Sequence, residues 1–339
     1  MGYTSPYLPP APFWWTGLLA AVFPYLSAAT LLSCVLALVL LGRRWLVPFS
    51  IVLILVLVRF LPPARLIGPE PEPSPADLEV MTFNAPVRGP NPDSLSKVTL
   101  RLIRKVNPDL LALQEPAIWI DEGRGRRATA HLQAVIDSLH YWAPTPRGPG
   151  SEFTIMQPVI ARFPLGSVTQ YSLSPRAGLI SPTYVTRVAF SWKGRDAVLF
   201  NVHLHTTGKR KPWQGDGMFL DPARWREWLV EYRDAYLRRT REAKRLHALV
   251  EQERLPVIVM GDFNSTVHGW ELQRMLHPLR DAFTERGEGW GGTYHARLPL
   301  FRIDHILVSP EWEVVTAYVP DMQTLSDHRP VVARLRWKE

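Results

Sequence analysis

The sequence predicts a mixed α/β sandwich that follows an apolar N-terminal segment. From residue 77 onwards, segments with the two-residue alternation of a strand take turns with segments whose apolar residues recur every three or four positions, as in a helix. Before residue 77, two long apolar runs precede a proline-rich stretch. Alternating hairpins and helices favour an α/β fold whose sheets pack together in the middle. The apolar runs favour a membrane anchor in front of it.

The first apolar run covers residues 13–41 and contains 29 residues without a charge. A helix of this length exceeds a hydrocarbon core of about 30 Å, so we expect tilt, or a kink near Pro24. Trp14 and Trp15 at its start suit the membrane interface. A cleaved signal peptide is the alternative. However, the run lacks a basic leading region, and its apolar core is about twice the usual length.

The second apolar run covers residues 45–61, a length of 17 that lies at the lower limit for a span, with Arg59 placed to reach the interface. We predict two transmembrane helices and assign residues 1–61 to the anchor. The pair Arg43-Arg44 lies in the connecting turn, whereas residues 1–12 carry no cation. The positive-inside rule therefore predicts a multi-pass protein of the cell membrane whose large domain is extracytoplasmic.

Residues 62–76 contain six prolines and two glutamates, a composition typical of an extended, semi-rigid linker. We place the soluble domain at residues 77–339. Four of the 39 cationic side chains lie in residues 1–69, which have no acid, so 35 remain against 31 acidic ones in the rest of the chain. This mild excess suits an anionic ligand, a membrane surface or an ordinary soluble surface. The single cysteine, Cys34, lies in the apolar run, so the soluble domain has no disulfide framework.

The soluble domain contains several segments with a clear period. A helix is predicted at 94–106, and a long one at 222–253 with Asp221 as N-cap and Pro222 at its first position. A hairpin is predicted to turn at 193–196. Strands are predicted at 78–83, 110–113, 184–192, 197–204, 257–260, 303–308, 313–318 and 331–337.

Polar residues recur where these strands begin or end. Each has an ordinary explanation when it is taken alone: a carboxylate after a strand is commonly a turn or capping residue, and a lone histidine is more often structural than catalytic. Six such clusters at strand ends indicate a functional site, because strand-end loops of α/β folds are where sites are built. The six segments are MTFN (81–84), LALQE (111–115), NVHLH (201–205), GDFN (261–264), IDHILV (303–308) and SDHRPV (326–331).

The order and wording of these segments resemble the endonuclease/exonuclease/phosphatase superfamily, which includes DNase I-like nucleases, neutral sphingomyelinases and inositol polyphosphate phosphatases. The resemblance covers about residues 78–337 and extends to PVIARFPL (158–165) and to TYHA (293–296) ahead of RIDH (302–305). It implies a four-layer, DNase I-like α/β sandwich. It also implies a hydrolase of phosphate esters, here in a membrane-anchored, bacterial-type member.

The resemblance implies a metal site at Glu115, with Asn84 and Asp327 close to it. Oxygen ligands of this kind select hard cations, so the expected cofactor is Mg²⁺ or Mn²⁺. Such a cation neutralises the charge that develops on a phosphoryl oxygen in the transition state.

The resemblance also implies the catalytic roles. Asp262 would orient and deprotonate the attacking water or assist the leaving oxygen, and Asn264 would donate a hydrogen bond to the phosphate. His328, oriented by Asp304, would contact the scissile phosphate, and His203 would be a second phosphate donor or acid. Because water is the nucleophile, no covalent intermediate is expected.

Substrate binding is the least specific part of the site. His205 and the cations Lys209, Arg210 and Lys211 lie in or beside the polar loop 206–220, which would grip an anionic substrate, rest on headgroups or simply be solvated.

Four side chains have competing interpretations. His203 and His205 share a strand face and could hold zinc, although the nearby ligands are oxygen-rich and include no cysteine. Glu152 is the nearest candidate for a residue that supports His203 in some family members. His305 should point away from Asp304, which favours a structural role.

Three functions agree with these residues. The leading hypothesis is a membrane-anchored, metal-dependent hydrolase of a phospholipid, a polyprenyl pyrophosphate or another phosphate ester, because an anchor raises the effective concentration of lipid substrates. The alternatives are an extracytoplasmic nuclease acting on DNA or RNA, and an inactive membrane-bound binding protein on the same fold. The expected partners are the substrate and the lipid bilayer, with nucleic acid as a possible substrate and no obligatory protein partner.

Overall fold

The computed structural model describes residues 4–60, 72–85, 92–116, 118–121, 125–128, 130–143, 153–174, 183–207, 221–321 and 325–339. The α-helices are α1 (Thr16–Leu41), α2 (Leu46–Phe60), α3 (Pro92–Val106), α4 (Ala130–Leu139), α5 (Pro222–Glu251), α6 (Trp270–Met275) and α7 (Ala282–Arg286). The strands are β1 (Leu78–Asn84), β2 (Leu110–Gln114), β3 (Ile118–Asp121), β4 (Gly125–Ala128), β5 (Phe153–Ile155), β6 (Val159–Ala161), β7 (Leu165–Ser172), β8 (Tyr184–Trp192), β9 (Arg195–His203), β10 (Val257–Asp262), β11 (Arg280–Asp281), β12 (Asp304–Val308), β13 (Trp312–Tyr318) and β14 (Val331–Trp337).

Two sheets form the centre of the domain. One has the strand order β13-β14-β1-β2-β6 and the other β11-β12-β10-β9-β8-β7. Buried side chains of both sheets share one apolar core, with Val80 and Ala112 from the first and Leu199 and Met260 from the second. The mixed α/β sandwich predicted from the sequence is therefore confirmed. A small sheet, β4-β3-β5, was not predicted, because strands of three or four residues are too short to show a period.

Helices cover the outer faces of both central sheets. Apolar residues of α3 and α4, such as Leu102 and Leu132, pack on the first sheet, and residues of α5 and α6, such as Leu246 and Leu272, pack on the second. The domain thus has a helix–sheet–sheet–helix order of layers. Helix α5 begins where the sequence predicts, because the Asp221 carboxylate accepts a hydrogen bond from the Ala223 N–H at 2.9 Å.

The strand register brings polar residues to one edge of the second sheet. Strand β10 pairs with β9 in parallel and with β12 antiparallel. Asp262, the last residue of β10, lies directly opposite His203 on one side and Asp304 on the other. In the first sheet, β1 and β2 run in parallel, so that Asn84 and Gln114 end these strands side by side.

Buried amides connect the two sheets below this edge. Asn201 of β9 donates to the carbonyl oxygens of Leu113 and Pro158, both at 2.9 Å. Gln114 of β2 donates to the Asn201 side-chain oxygen at 2.7 Å. A buried polar group without a hydrogen-bond partner destabilises the fold. This hydrogen-bonded network therefore fixes the position of β9 relative to β2. The two strands that end near the candidate site therefore cannot slide independently.

Helices α1 and α2 form an apolar hairpin in front of the domain. Within the described part of the chain, α1 is the one helix whose length and composition allow it to cross a membrane. Its 26 residues extend about 39 Å, whereas the 15 residues of α2 extend about 22 Å, less than a hydrocarbon core of about 30 Å. A second crossing helix over 45–61 is therefore not confirmed, and the predicted linker 62–76 lies mostly outside the described residues.

The beginning of α1 packs on the soluble domain, where the sequence predicts contact with lipid. A side chain added at Gly17 would lie 2.6 Å from the Tyr232 hydroxyl of α5, so the helix approaches α5 closely. The Thr266 hydroxyl donates to the Ala20 carbonyl at 3.4 Å. The apolar residues of the first run thus have two environments, which a hydropathy pattern cannot distinguish because both are apolar.

The far part of the hairpin is exposed. Leu32 and Val39 of α1 are 70% and 74% exposed, and Val58 of α2 is 68% exposed. Large exposed apolar surfaces mark interaction with a membrane or another protein. The exposed part of the hairpin is the candidate membrane-inserted segment.

Candidate active site

Asp262 is the centre of the candidate active site. Its carboxylate is buried, and its Oδ2 atom accepts a hydrogen bond from the Asn84 side-chain amide at 3.0 Å. The Nε2 atoms of His203 and His328 lie 3.6 and 3.7 Å from the same oxygen. Three side chains, from β1, β9 and the segment before β14, therefore converge on one oxygen atom of Asp262, a fourth side chain that ends β10. The sequence predicted all four as site residues.

The backbone at this point requires glycine. Gly261 has a φ of +149°, and a Cβ atom there would lie 1.9 Å from the Val202 carbonyl oxygen of β9. Only a residue without a side chain allows β10 to run this close to β9 immediately before Asp262. The close approach of the two strands thus explains why glycine precedes Asp262.

Asn264 holds the loop after β10. Its φ is +49°, a conformation that asparagine tolerates better than most residues. Its backbone N–H donates to the Asp262 Oδ1 at 2.8 Å, and its side-chain amide donates to the Leu204 carbonyl at 2.9 Å. One of its two amide hydrogens is therefore engaged in holding this loop against the end of β9, and the other has no partner among the described residues.

His328 and Asp304 form a buried carboxylate–imidazole pair. The His328 Nδ1 donates to the Asp304 Oδ2 at 2.9 Å, so Nε2 points towards Asp262. Burial alone would lower the pKa of His328, but the carboxylates of Asp304, Asp262 and Asp327 raise it to about 10. The imidazole is therefore held as a cation that can donate a hydrogen bond to an anionic oxygen.

Glu115 follows β2 with a φ of +75° and lies within electrostatic range of this group. Burial raises its pKa, and the carboxylates of Asp327 and Asp262 raise it further, while His203 and His328 act in the opposite direction. Converging carboxylates repel one another unless a cation lies between them.

These donors fit a hard divalent cation. The amide nitrogen of Asn84 is turned towards Asp262, so its side-chain oxygen is the atom that can serve as a metal ligand. Glu115, Asn84 and Asp327 thus supply oxygen donors. A second candidate group comprises Asp262, Asp304 and His328, whose ligand atoms lie within 4.8 Å of one another. The structure thus brings together the ligand atoms of Asp262, Asp304 and His328, whereas the set of Glu115, Asn84 and Asp327 stays a prediction.

Tyr294 is a site residue that the sequence analysis did not single out. Its ring lies 5.1 Å from the His328 ring between centroids, and the backbones of the two residues form an isolated β-bridge. Burial raises the pKa of Tyr294, as do Asp327 and Asp262. The signal was present in the TYHA segment, but a tyrosine there is indistinguishable from a packing residue without the fold.

His305 lies on the opposite face of β12 from Asp304, as predicted. Its Nδ1 contacts the Asp281 Oδ2 at 2.9 Å, and its Nε2 lies 3.0 Å from the Ser265 carbonyl oxygen. Arg302 donates two hydrogen bonds to Asp281 at 2.8 and 2.9 Å. The buried Asp281–His305 pair is therefore a structural counterpart of the Asp304–His328 pair.

Of the predicted substrate-binding residues, only His205 lies in the part of the chain that the structure describes. Strand β9 ends at His203, so His205 lies beyond the strand, and the zinc pairing based on a shared strand face loses its geometric basis. The His205 N–H donates to Glu242 at 2.9 Å, and its carbonyl accepts from Arg239 at 3.2 Å. Lys209, Arg210 and Lys211, like Glu152, lie outside the described residues.

Comparisons with known proteins agree with this geometry. The model of the Endonuclease/Exonuclease/phosphatase family matches residues 81–328. No curated protein matches the chain.

Solved structures share the fold at low identity. An endonuclease/exonuclease/phosphatase of Bacteroides vulgatus is 20% identical, with a TM-score of 0.55 over 77% of this chain and 99% of that chain. The mannosyl-6-phosphatase Bt3783 of Bacteroides thetaiotaomicron is 19% identical, with a TM-score of 0.54 over 77% and 100%. The catalytic domain of human Nocturnin, solved with a sulfate anion, is 18% identical, with a TM-score of 0.50 over 78% and 95%.

The family match covers most of the chain and spans the segments that carry the candidate site. The resemblance seen in the sequence is thereby confirmed at the level of family and fold. The chain belongs to the endonuclease/exonuclease/phosphatase family, whose members are hydrolases that act on phosphoester bonds.

Proposed function

We propose that the protein is a membrane-anchored, metal-dependent hydrolase that cleaves phosphate esters presented by a bilayer, with phospholipids or polyprenyl pyrophosphates as the substrate class. The observation that supports this most strongly is that the domain with the candidate active site is in direct contact with the apolar helix α1. The Asp262–His328–Asp304 cluster lies in a domain whose loop residue Thr266 is hydrogen-bonded to the apolar helix α1. A site held at a bilayer meets lipid substrates at a high effective concentration.

Each side chain has a role in attack by water. Asp262 orients the water and accepts its proton, and the Asn84 amide holds the carboxylate in place. The His328 imidazolium, kept in orientation by Asp304, donates a hydrogen bond to the phosphoryl oxygen. His203 provides a second donor on the other side of Asp262.

A divalent cation completes this site. Mg²⁺ or Mn²⁺ held by Glu115, Asn84 and Asp327 would supply positive charge that offsets the charge on the phosphoryl group. Asn264 would contribute its remaining amide hydrogen to the phosphate, and His205 with the cations at 209–211 would contact the rest of the substrate.

The hairpin sets the orientation of the domain. We propose that its exposed part inserts into the membrane and that local thinning of the bilayer, with Arg59 reaching the interface, lets α2 return the chain to the side from which α1 entered although it extends only about 22 Å. The turn carries Arg43 and Arg44, within a 3-10 helix that ends at Trp45. Arginines favour the cytoplasmic side, so this topology leaves the catalytic domain extracytoplasmic.

The test uses the full chain reconstituted in lipid nanodiscs. Release of phosphate or headgroup is measured from phospholipids, polyprenyl pyrophosphates, plasmid DNA, RNA and a soluble sugar phosphate, each with Mg²⁺, Mn²⁺ or EDTA. We expect activity on a bilayer-borne ester that disappears in EDTA and in His328→Asn. The matched control is His140→Asn, which changes an exposed histidine and should have no effect.

Other outcomes contradict the proposal in different ways. Cleavage confined to plasmid DNA or RNA would identify a nuclease. No turnover of any panel member by a folded, metal-loaded protein would support the inactive binding protein instead.

A further inference from the structure

A cavity of about 290 Å³ lies between the apolar hairpin and the catalytic domain. Ala21 and Pro24 of α1 form one part of its wall, and Arg59 and Phe60 of α2 form another. The domain contributes the rest, including His268, Trp290, Leu300, Phe301 and Arg302. None of the residues placed in the candidate active site lines this cavity.

The lining is cationic. Arg59 and Arg302 both reach the cavity, and none of the described residues that line it is acidic. Arg302 is balanced by its two hydrogen bonds to Asp281. Arg59 is the only charged residue in the sequence of α2. A charge in an otherwise apolar, membrane-associated helix is costly and rare, and it usually marks a functional position.

His268 provides an independent indication of a ligand. It is 5% exposed and lines the cavity, and its Nδ1 atom has no hydrogen-bond partner among the described residues. Phe60 and Phe23 pack edge-on against its ring, at 5.1 and 5.3 Å between centroids. Burial lowers its pKa to about 3, and Arg59 is among the cations that lower it further. A neutral imidazole has one N–H, which it can donate to a phosphate oxygen.

The position of the cavity indicates how deep the ligand lies. The apolar surface of the hairpin is exposed beyond the cavity, whereas α1 before it packs on the domain. Trp290, 62% exposed, and Leu300, 41% exposed, stand at the cavity wall. Tryptophan is enriched where the headgroups of a bilayer meet its hydrocarbon. With the hairpin inserted as proposed above, the cavity lies at the depth of the headgroups, where lipid phosphates are the abundant anions.

We propose that this cavity binds an anionic phospholipid, whose phosphate contacts Arg59 and His268 while its acyl chains lie along the exposed surface of α1 and α2. This lipid is a bound component distinct from the substrate, since its site shares no residue with the catalytic group. The proposal rests on the membrane insertion of the hairpin proposed above but not on the substrate proposed there. A lipid in this cavity would contact both the hairpin and the domain and so stabilise the contact between them.

The cavity is connected to the candidate active site by a short series of contacts, from Phe301 through Tyr294 to His328. Phe301 lines the cavity, and its carbonyl oxygen accepts the backbone N–H of Tyr294 at 2.8 Å. The Tyr294 ring in turn lies against His328. A lipid in the cavity therefore packs against the segment that carries Tyr294.

The test measures the thermal unfolding midpoint of the full chain in a neutral detergent with EDTA, carrying Asp262→Asn so that no lipid is hydrolysed. Dioctanoyl phosphatidylglycerol, dioctanoyl phosphatidylcholine and inorganic phosphate are titrated separately. We expect a saturable increase of several degrees with phosphatidylglycerol alone. Its affinity should fall about tenfold in Arg59→Gln and in His268→Phe, which keeps the aromatic packing. The matched control Arg44→Gln removes a cation at the tip of the hairpin and should bind as the parent does.

Each remaining outcome overturns the proposal. An equal increase with phosphatidylcholine shows that headgroup charge is not recognised. The same increase with inorganic phosphate shows a phosphate site rather than a lipid site. Loss of binding in Arg44→Gln shows general electrostatic attraction, and loss in an added His328→Asn variant, but not in His268→Phe, shows binding at the catalytic group. No increase with any ligand shows that the cavity binds none of them.

Discussion

The Asp304→Asn substitution separates activity from stability at the candidate site. Asp304 is fully buried, and its Oδ2 holds the His328 Nδ1 at 2.9 Å, while its Oδ1 has no hydrogen-bond partner among the described residues. An amide in its place can donate to Nδ1 and so favours the wrong tautomer of the imidazole. It also removes the nearest carboxylate that keeps His328 protonated.

The expected loss of activity is about 10³-fold in kcat/KM, equivalent to about 4 kcal/mol in the transition state. The free energy of unfolding of Asp304→Asn should change much less than its activity. Burial raises the pKa of Asp304, which means that the fold bears a cost for keeping this carboxylate ionised. Asparagine removes that cost but leaves the imidazole without its partner, so we expect a change in unfolding free energy of less than about 1 kcal/mol.

Asp281→Asn is the matched control, because it changes the carboxylate of the second buried pair. Asp281 binds both Arg302 and His305, so its replacement leaves a buried guanidinium without its counter-ion. We expect a loss of about 3–5 kcal/mol of stability. The activity per folded molecule should remain within about threefold of the parent.

The assay combines initial rates on a chromogenic phosphodiester in Mg²⁺ with urea unfolding of the same full-length samples. The reasoning predicts that Asp304→Asn is stable and inactive, whereas Asp281→Asn is unstable and active below its unfolding midpoint. If Asp304→Asn keeps more than a third of the parent activity while folded, the carboxylate does not orient His328 for catalysis.

Three further predictions concern the metal, the backbone and pH. Glu115→Gln should weaken Mn²⁺ binding at least about tenfold in calorimetry and lose activity that excess metal partly restores; unchanged affinity contradicts the metal assignment. Gly261→Ala should destabilise the fold by more than about 2 kcal/mol in urea unfolding, since its Cβ would lie 1.9 Å from the Val202 carbonyl oxygen; a smaller loss contradicts the close approach. The pKa of His268 is lowered to about 3, below its ordinary 6.5, so between these values the unfolded chain binds a proton that the folded chain does not. Stability from this group is present above pH 6.5 and is lost as the pH falls, by about 1.4 kcal/mol per pH unit, and unfolding curves of His268→Phe should lack this part of the slope.

The sequence predicts the main strands and much of the site for one physical reason. Buried strands have a clear period, and their ends carry polar side chains that have no place in a core. Asp262 and Asp304 could therefore be expected at one edge of a sheet, and β10 and β12 place them opposite each other. The predicted helix at 222–253 begins where the observed α5 begins, because its N-cap and first proline are local signals, and its predicted end lies two residues beyond Glu251.

Other features depend on tertiary structure and have no local signal. The packing of α1 against Tyr232 looks like lipid contact in the sequence, because both environments select apolar residues. The hydrogen bond from the Asn264 amide to the Leu204 carbonyl could not be predicted, since the two groups meet only in the folded chain. Tyr294 becomes a site residue only when β14 brings His328 to it.

The most direct test of the central claim compares the full chain with its Asp262→Asn variant in anionic nanodiscs. Release of phosphate or headgroup is followed in Mg²⁺ and then after addition of EDTA. The account predicts turnover by the parent in Mg²⁺, its loss in EDTA, and a decrease of at least about 10³-fold in the folded variant. Turnover that survives both EDTA and Asp262→Asn would contradict the assignment of this cluster as a metal-assisted hydrolytic site.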